Sequence, residues 1–89
     1  MKKNKLKIRE NTVVHCPTEE LANEVLSISH KLGYKWSTGI EYVEENCWSV
    51  YKKDTCYNLI EGSFALIRYY ESQRKTIITA EEFIKLHKK

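Results

Sequence analysis

All six tyrosines and both tryptophans of this 89-residue chain lie between Tyr34 and Tyr70. Flat rings of this kind do two sorts of work at surfaces. They stack on planar ligands such as nucleobases, at roughly 1–3 kcal/mol per base, and they anchor protein interfaces. Trp36, Trp48, Tyr51, Tyr57, Tyr69 and Tyr70 fall on segments that read as β-strands, with Tyr34 beside them. In a small sheet covered by two helices on one face, some of these rings must reach an open face, an edge or a pocket. Arg68 stands in the middle of the predicted strand 64–70, in phase with Phe64, Leu66 and Tyr70. A charge there is either an edge safeguard or an anion ligand. Ser37, Thr38 and Asn58 add hydrogen-bonding groups, and backbone N–H groups around Ser37-Thr38-Gly39 could add anion contacts. The candidate ligand-binding set is therefore Trp36, Ser37, Thr38, Trp48, Tyr51, Tyr57, Asn58, Arg68 and Tyr70.

No catalytic constellation accompanies these rings, and the expectation is a protein that is not an enzyme. His15 and Cys16 are neighbours on a predicted strand, so they point to opposite faces and make a poor thiolate–base pair. The three histidines are dispersed and the three cysteines, Cys16, Cys47 and Cys56, include no Cys-x-x-Cys pair. Neither a zinc site nor a disulfide framework is expected. The adjacent acids Glu44-Glu45 and Glu81-Glu82 read as surface and as a helix start. The three glycines all read as turn residues rather than a phosphate loop, and no cofactor is expected.

The elements that must position the rings follow from pattern. Thr12 to Cys16 reads as a strand that Pro17 stops. Thr18 caps a helix whose Leu21, Val25, Ile28 and Leu32 recur at helical spacing and whose end is marked by Gly33. Tyr34 to Trp36 predicts a brief strand, which makes strand–helix–strand the opening motif. Residues 40–47 read as a loop or helical turn. Period-two alternation then predicts strands over 48–51, 56–60 and 64–70, an antiparallel meander. Thr76 to Ile78 predicts a last strand, and Thr79 with Glu82 a capping box for the final helix. The fold class is α+β: an antiparallel-leaning mixed sheet of about four to six short strands with two helices packed on one face.

Size and charge set further bounds. One domain fits in 89 residues, and its core is modest, so association into a homo-oligomer is expected. Lys2, Lys3, Lys5, Lys7 and Arg9 crowd into the first nine residues, while residues 10–89 hold ten Lys/Arg against twelve Asp/Glu. The expected organisation is a basic arm over residues 1–11 and a slightly acidic domain over residues 12–89. An arm of this kind can touch phosphate, but nucleic acid is not the favoured partner. No apolar run approaches the roughly 20 residues of a membrane span. No secretory h-region is present, and free cysteines suit a reducing cytoplasm.

The run VHCPTEELANEVLSISHKLGYKWSTG, followed by CWSVY, TCYN, YY and TIITAEEF, resembles a type of small uncharacterised protein from bacteriophages and mobile elements. The resemblance extends over nearly the whole chain from Val13. It implies a phage protein acting in the host cytoplasm. Phage proteins of this size often bind something of the host. One group sequesters nucleotide second messengers of antiviral systems such as Thoeris and CBASS. Another blocks host enzymes by protein–protein contact, as anti-CRISPR proteins do. The resulting expectation is a non-catalytic anti-defence protein that sequesters a nucleotide-derived signal in a homo-oligomer. The alternatives are a protein inhibitor of a host defence or nucleic-acid enzyme, and a nucleic-acid binder acting through its arm.

Overall fold

The computed structural model describes residues 6–88. Four helices and a four-stranded mixed sheet make up the described chain, an α+β fold. The order is β1 (Thr12–His15), α1 (Glu19–Lys31), α2 (Trp48–Tyr51), a 3-10 turn (Lys52–Asp54), β2 (Thr55–Asn58), β3 (Ser63–Leu66), α3 (Ile67–Ser72), β4 (Thr76–Thr79) and α4 (Ala80–His87). In space the strands run β3-β2-β1-β4. β2 is antiparallel to both neighbours, whereas β4 joins β1 in parallel.

Alternation along the strands divides the core in two. Val14, Tyr57, Phe64 and Ile78 face α1 and α4, where they meet Ala22, Val25, Leu26, Ala80, Phe83 and Ile84. Fully burying a side chain such as Leu26 or Phe83 contributes about 1.5–3 kcal/mol, so this layer carries most of the stability. Val13, Cys56, Ala65 and Ile77 face the opposite way, under Ile67 and Tyr70 of α3. The sheet is thus covered on both faces, with two helices on one and the short α3 on the other.

Both long helices start as the sequence expects. The Thr18 and Thr79 hydroxyls accept hydrogen bonds from Leu21 N (3.2 Å) and Glu82 N (3.0 Å). Three predicted strands differ. Tyr34 to Trp36 forms only an isolated bridge, Lys35 to Glu41. Trp48 to Tyr51 is α2, because Asn46 Oδ1 caps Trp48 N at 2.9 Å and the Trp48 indole is drawn to the Cys16 carbonyl. The predicted strand 64–70 stops at Leu66. From Ile67 the chain turns helical, so that Ile67 and Tyr70, one turn apart, both cover the second face. The strand–helix–strand opening is also different, since β1 pairs with β2 in antiparallel and finds its parallel neighbour, β4, near the end of the chain.

Of the proposed arm, Lys2, Lys3 and Lys5 lie outside the described residues. Leu6 is buried in the main core, Ile8 packs against it, and Lys7 N donates to His87 Nε2 at 2.9 Å, so residues 6–8 belong to the folded body.

Gly62 and Gly39 both have positive φ, +79° and +96°, but different surroundings. A Cβ at Gly62 would fall 2.5 Å from Ser37 N and 2.7 Å from Lys35 O, whereas one at Gly39 meets nothing within 4 Å. G39A is expected to cost about 1 kcal/mol, the backbone term alone. G62A should cost on the order of 3 kcal/mol, because backbone must also move. Equal losses of stability in urea titrations would contradict this close approach.

Candidate functional site

The long connection from α1 to α2 has little regular structure, so it must be tied to the body by hydrogen bonds outside any ladder. Aromatic side chains supply them. Trp36 Nε1 donates to Glu45 O at 2.6 Å, Tyr57 OH to Asn46 O at 2.6 Å, Tyr42 OH to Leu59 O at 2.8 Å and Trp48 Nε1 to Cys16 O at 2.9 Å. Trp36 lies edge-on to Tyr42, with centroids 4.7 Å apart, and to Phe64, and it tilts against Tyr57. Asn46 is the hub of this arrangement. Its amide nitrogen donates to Glu19 Oε2 and Asn23 Oδ1 on α1, its side-chain oxygen caps α2, and its carbonyl receives Tyr57. A lone asparagine in a polar stretch gave no signal of this role in the sequence.

The nine candidate residues therefore go to several places. Trp36 and Tyr57 are core, with their polar atoms bonded to backbone, and Trp48 is half-buried with its indole N–H likewise engaged. Arg68 is exposed on α3 and no longer shares a strand face with Phe64 and Leu66. Tyr51, Asn58 and Tyr70 line one cleft of about 590 Å³, together with Ser63, Phe64, Ala65, Leu66 and Tyr69. Glu61 and Lys75 give this cleft one charge of each sign. Trp36, Ser37 and Thr38 line a second, mostly apolar cleft of about 360 Å³ with Ile40, Cys47 and Phe64, and Glu45 is its one charged residue. Ser63 and Phe64 belong to both clefts. Tyr69 (54% exposed) and Ile40 (46%) stand on their rims.

What runs between the clefts is the outer edge of β3. Cys16 N donates to Thr55 O at 2.9 Å, which fixes the phase of β2. Thr55 and Tyr57 exchange hydrogen bonds with β1, so Cys56 and Asn58 exchange theirs with Ala65 and Ser63. The Gly62 carbonyl, both backbone groups of Phe64 and the Leu66 N–H consequently point away from the sheet, whereas Gly62 N donates to Asn58 O at 2.8 Å and the Leu66 carbonyl opens α3. Gly62 O is taken by Ser37 N at 3.0 Å, while Phe64 and Leu66 border open space in the larger cleft. That cleft draws walls from both faces of the sheet: Phe64 and Leu66 from one, Asn58, Ser63, Ala65 and Tyr70 from the other. It lies where a fifth strand would run.

The titratable groups offer little reactivity. Burial pushes the Cys56 thiol up to about 12 and raises Cys16 further, with nearby groups adding to both. His15 Nε2 sits 2.7 Å from the Lys53 carbonyl. Among the described residues no three His, Cys, Asp or Glu side chains are grouped to hold a metal ion, and no helix is long and apolar enough to cross a membrane. The fold and clefts define a small α+β domain with an open sheet edge whose strand, Ser63–Leu66, carries no charge. No protein-family model, curated protein or solved structure matches the chain.

Two outcomes follow from the ring anchors. Y57F leaves the Asn46 carbonyl without its donor and should cost about 1–3 kcal/mol, whereas Y69F on the exposed rim should stay within about 0.5 kcal/mol. Comparable effects in chemical denaturation would contradict the anchoring role.

Burial also holds the Tyr42 and Tyr57 phenols protonated well above the usual tyrosine value of about 10. Because the folded-state values lie above the unfolded ones, this stabilisation is complete below pH of about 10 and is lost as pH rises through the folded values. Stability measured in urea should fall above that pH, with Tyr42 and Tyr57 ionising only as the chain unfolds. Phenolate absorbance showing all six tyrosines ionised in a still-folded protein would refute it.

Proposed function

We propose that the protein is a non-catalytic interaction module that binds an extended polypeptide strand along the outer edge of β3. The observation that carries this reading is the pair of clefts flanking an edge where both backbone groups of Phe64 and the Leu66 N–H point outward. Strand addition supplies affinity through main-chain hydrogen bonds and specificity through pockets for alternate side chains. The two sides of the edge differ in a way that suits an alternating segment. Trp36, Ile40, Cys47 and Phe64 offer an apolar recess on one side. Asn58, Ser63, Gln73, Glu61 and Lys75 offer polar groups on the other. Exposed edges are normally protected by a charge, a proline or a bulge, and Ser63-Phe64-Ala65-Leu66 has neither charge nor proline. Such binding fits the protein-inhibitor expectation, the blocking of a host protein by direct contact.

A second reading keeps a small planar ligand. Tyr51, Tyr69, Tyr70 and Lys75 line the larger cleft, whose volume lies in the range of small-molecule sites. Its charges balance, so the ligand class would be a nucleoside or a singly charged cyclic nucleotide rather than a polyphosphate. One experiment separates the readings. Decapeptides selected from a random display library, and cyclic mononucleotides, are titrated into labelled protein by NMR. Strand addition predicts that alternating apolar–polar peptides shift the Phe64 and Leu66 amides and that nucleotides leave them unmoved. Nucleotide-induced shifts at Tyr69 and Lys75 without peptide binding would overturn the first reading in favour of the second.

A further inference from the structure

We infer that the strand received by the β3 edge is β3 of a second copy of this chain, paired antiparallel about a two-fold axis through Ala65. This rests on the strand-addition reading and names its occupant. Three features of the chain make β3 its own complement.

The first is register. Pairing centred on Ala65 sets Phe64 of each copy opposite Leu66 of the other, so that each outward Leu66 N–H meets the outward Phe64 carbonyl of the second copy. Directly opposed residues share a sheet face, so Leu66 of the second copy lies beside Phe64, on the side of the apolar recess formed with Trp36, Ile40 and Cys47. Ala65 meets Ala65 on the other face, where a small side chain leaves room beside Ser63 and Tyr70.

The second is fit at the ends. Ser37 already occupies the edge beside Gly62, bonded to its carbonyl. An incoming β3 ends at Leu66, where α3 begins, and so stops short of that position. A pairing centred one residue earlier, on Phe64, would bring Leu66 of the second copy onto Gly62 and into Ser37. Centring on Ala65 avoids this collision.

The third is charge. The exposed Glu61 precedes β3 and the exposed Arg68 follows it. Antiparallel pairing places the acidic start of one strand beside the basic end of the other, twice over by symmetry. The strand itself is uncharged, so nothing within it repels a copy. The product is one continuous eight-stranded sheet with the two larger clefts merged at its centre.

Sedimentation equilibrium over a range of concentrations, combined with amide hydrogen exchange, tests this. The expected result is a dimer whose Leu66 amides become protected as it forms. R68E should weaken dimerisation roughly tenfold by setting like charges together, and the double variant E61R/R68E should restore it. Both sites are exposed, so these variants keep the fold. A monomer at every concentration, a dimer that leaves the Leu66 amides unprotected, or an R68E dimer of unchanged strength would each overturn the proposal. A monomer that still takes up alternating peptides at Phe64 and Leu66 would overturn the self-pairing alone and leave the strand-addition reading standing.

Discussion

The hydrogen bonds from aromatic side chains to backbone carbonyls are the constraint on which the rest of this structure depends. Between Leu32 and Trp48 the chain forms no helix or strand, yet it passes over the core and buries Trp36 and Tyr42. A carbonyl buried without a donor costs about 1–3 kcal/mol, and without Tyr42 the Leu59 carbonyl would be such a group, while those of Cys16, Glu45 and Asn46 are part-buried. A loss of that size is a large fraction of the stability of a domain this size. Rings solve the problem because each brings a large apolar body to the core and a single polar atom at its end. Trp36 and Tyr57 hold the carbonyls of Glu45 and Asn46, Tyr42 ties the same segment to Leu59, and Trp48 ties α2 to the end of β1.

That anchoring also shapes the edge. Holding Trp36 in the core draws residues 35–37 against Gly62 so closely that no side chain fits there. Ser37 then closes the outward-facing carbonyl of Gly62, just before β3, and the open part of the edge begins two residues later, at Phe64. Phe64 itself packs against Trp36, Tyr51 and Tyr57. The same ring cluster that satisfies the loop thus builds one wall of both clefts. Cys47 and Lys52 adopt positive φ at the two ends of α2, a conformation that costs non-glycine residues roughly 1–3 kcal/mol each. The Asn46 bonds to α1 and to Trp48 N help hold the chain there.

Much of the fold was legible in the sequence. Thr18 and Thr79 declare their helices because a hydroxyl cap is a local device, and the helical stripe from Leu21 to Leu32 needs only one neighbour to bury it. β1 and β4 were readable from β-branched runs beside Pro17 and the polar segment 71–75, and β2 from its alternation over 56–60, although it spans Thr55–Asn58. The failures are non-local. Trp48-Ser49-Val50-Tyr51 alternates like a strand, but a cap from Asn46 and a distant carbonyl make it helical. Ile67 to Tyr70 alternates too, yet the second face of the sheet needed covering and a helix covers it. The site was legible only as a composition. The aromatic content identified where the rings would gather, but which polar atoms were already bonded depended on where residues 36–47 would lie. Arg68 was read in phase with Phe64 on the assumption of an unbroken strand, and α3 removes that phase.

Trp36, Tyr42, Trp48 and Tyr57 are therefore committed to backbone carbonyls, whereas Tyr51, Tyr69 and the buried Tyr70 line the cleft at the edge of β3. Hydrogen exchange of the two indole N–H groups tests this division most directly, because each tryptophan gives its own signal. Trp36 Nε1–H and Trp48 Nε1–H should exchange as slowly as the core amides of β1 and β2, since both are released only by unfolding. Exchange of either indole at the rate of a solvent-exposed tryptophan in the folded protein would contradict the account.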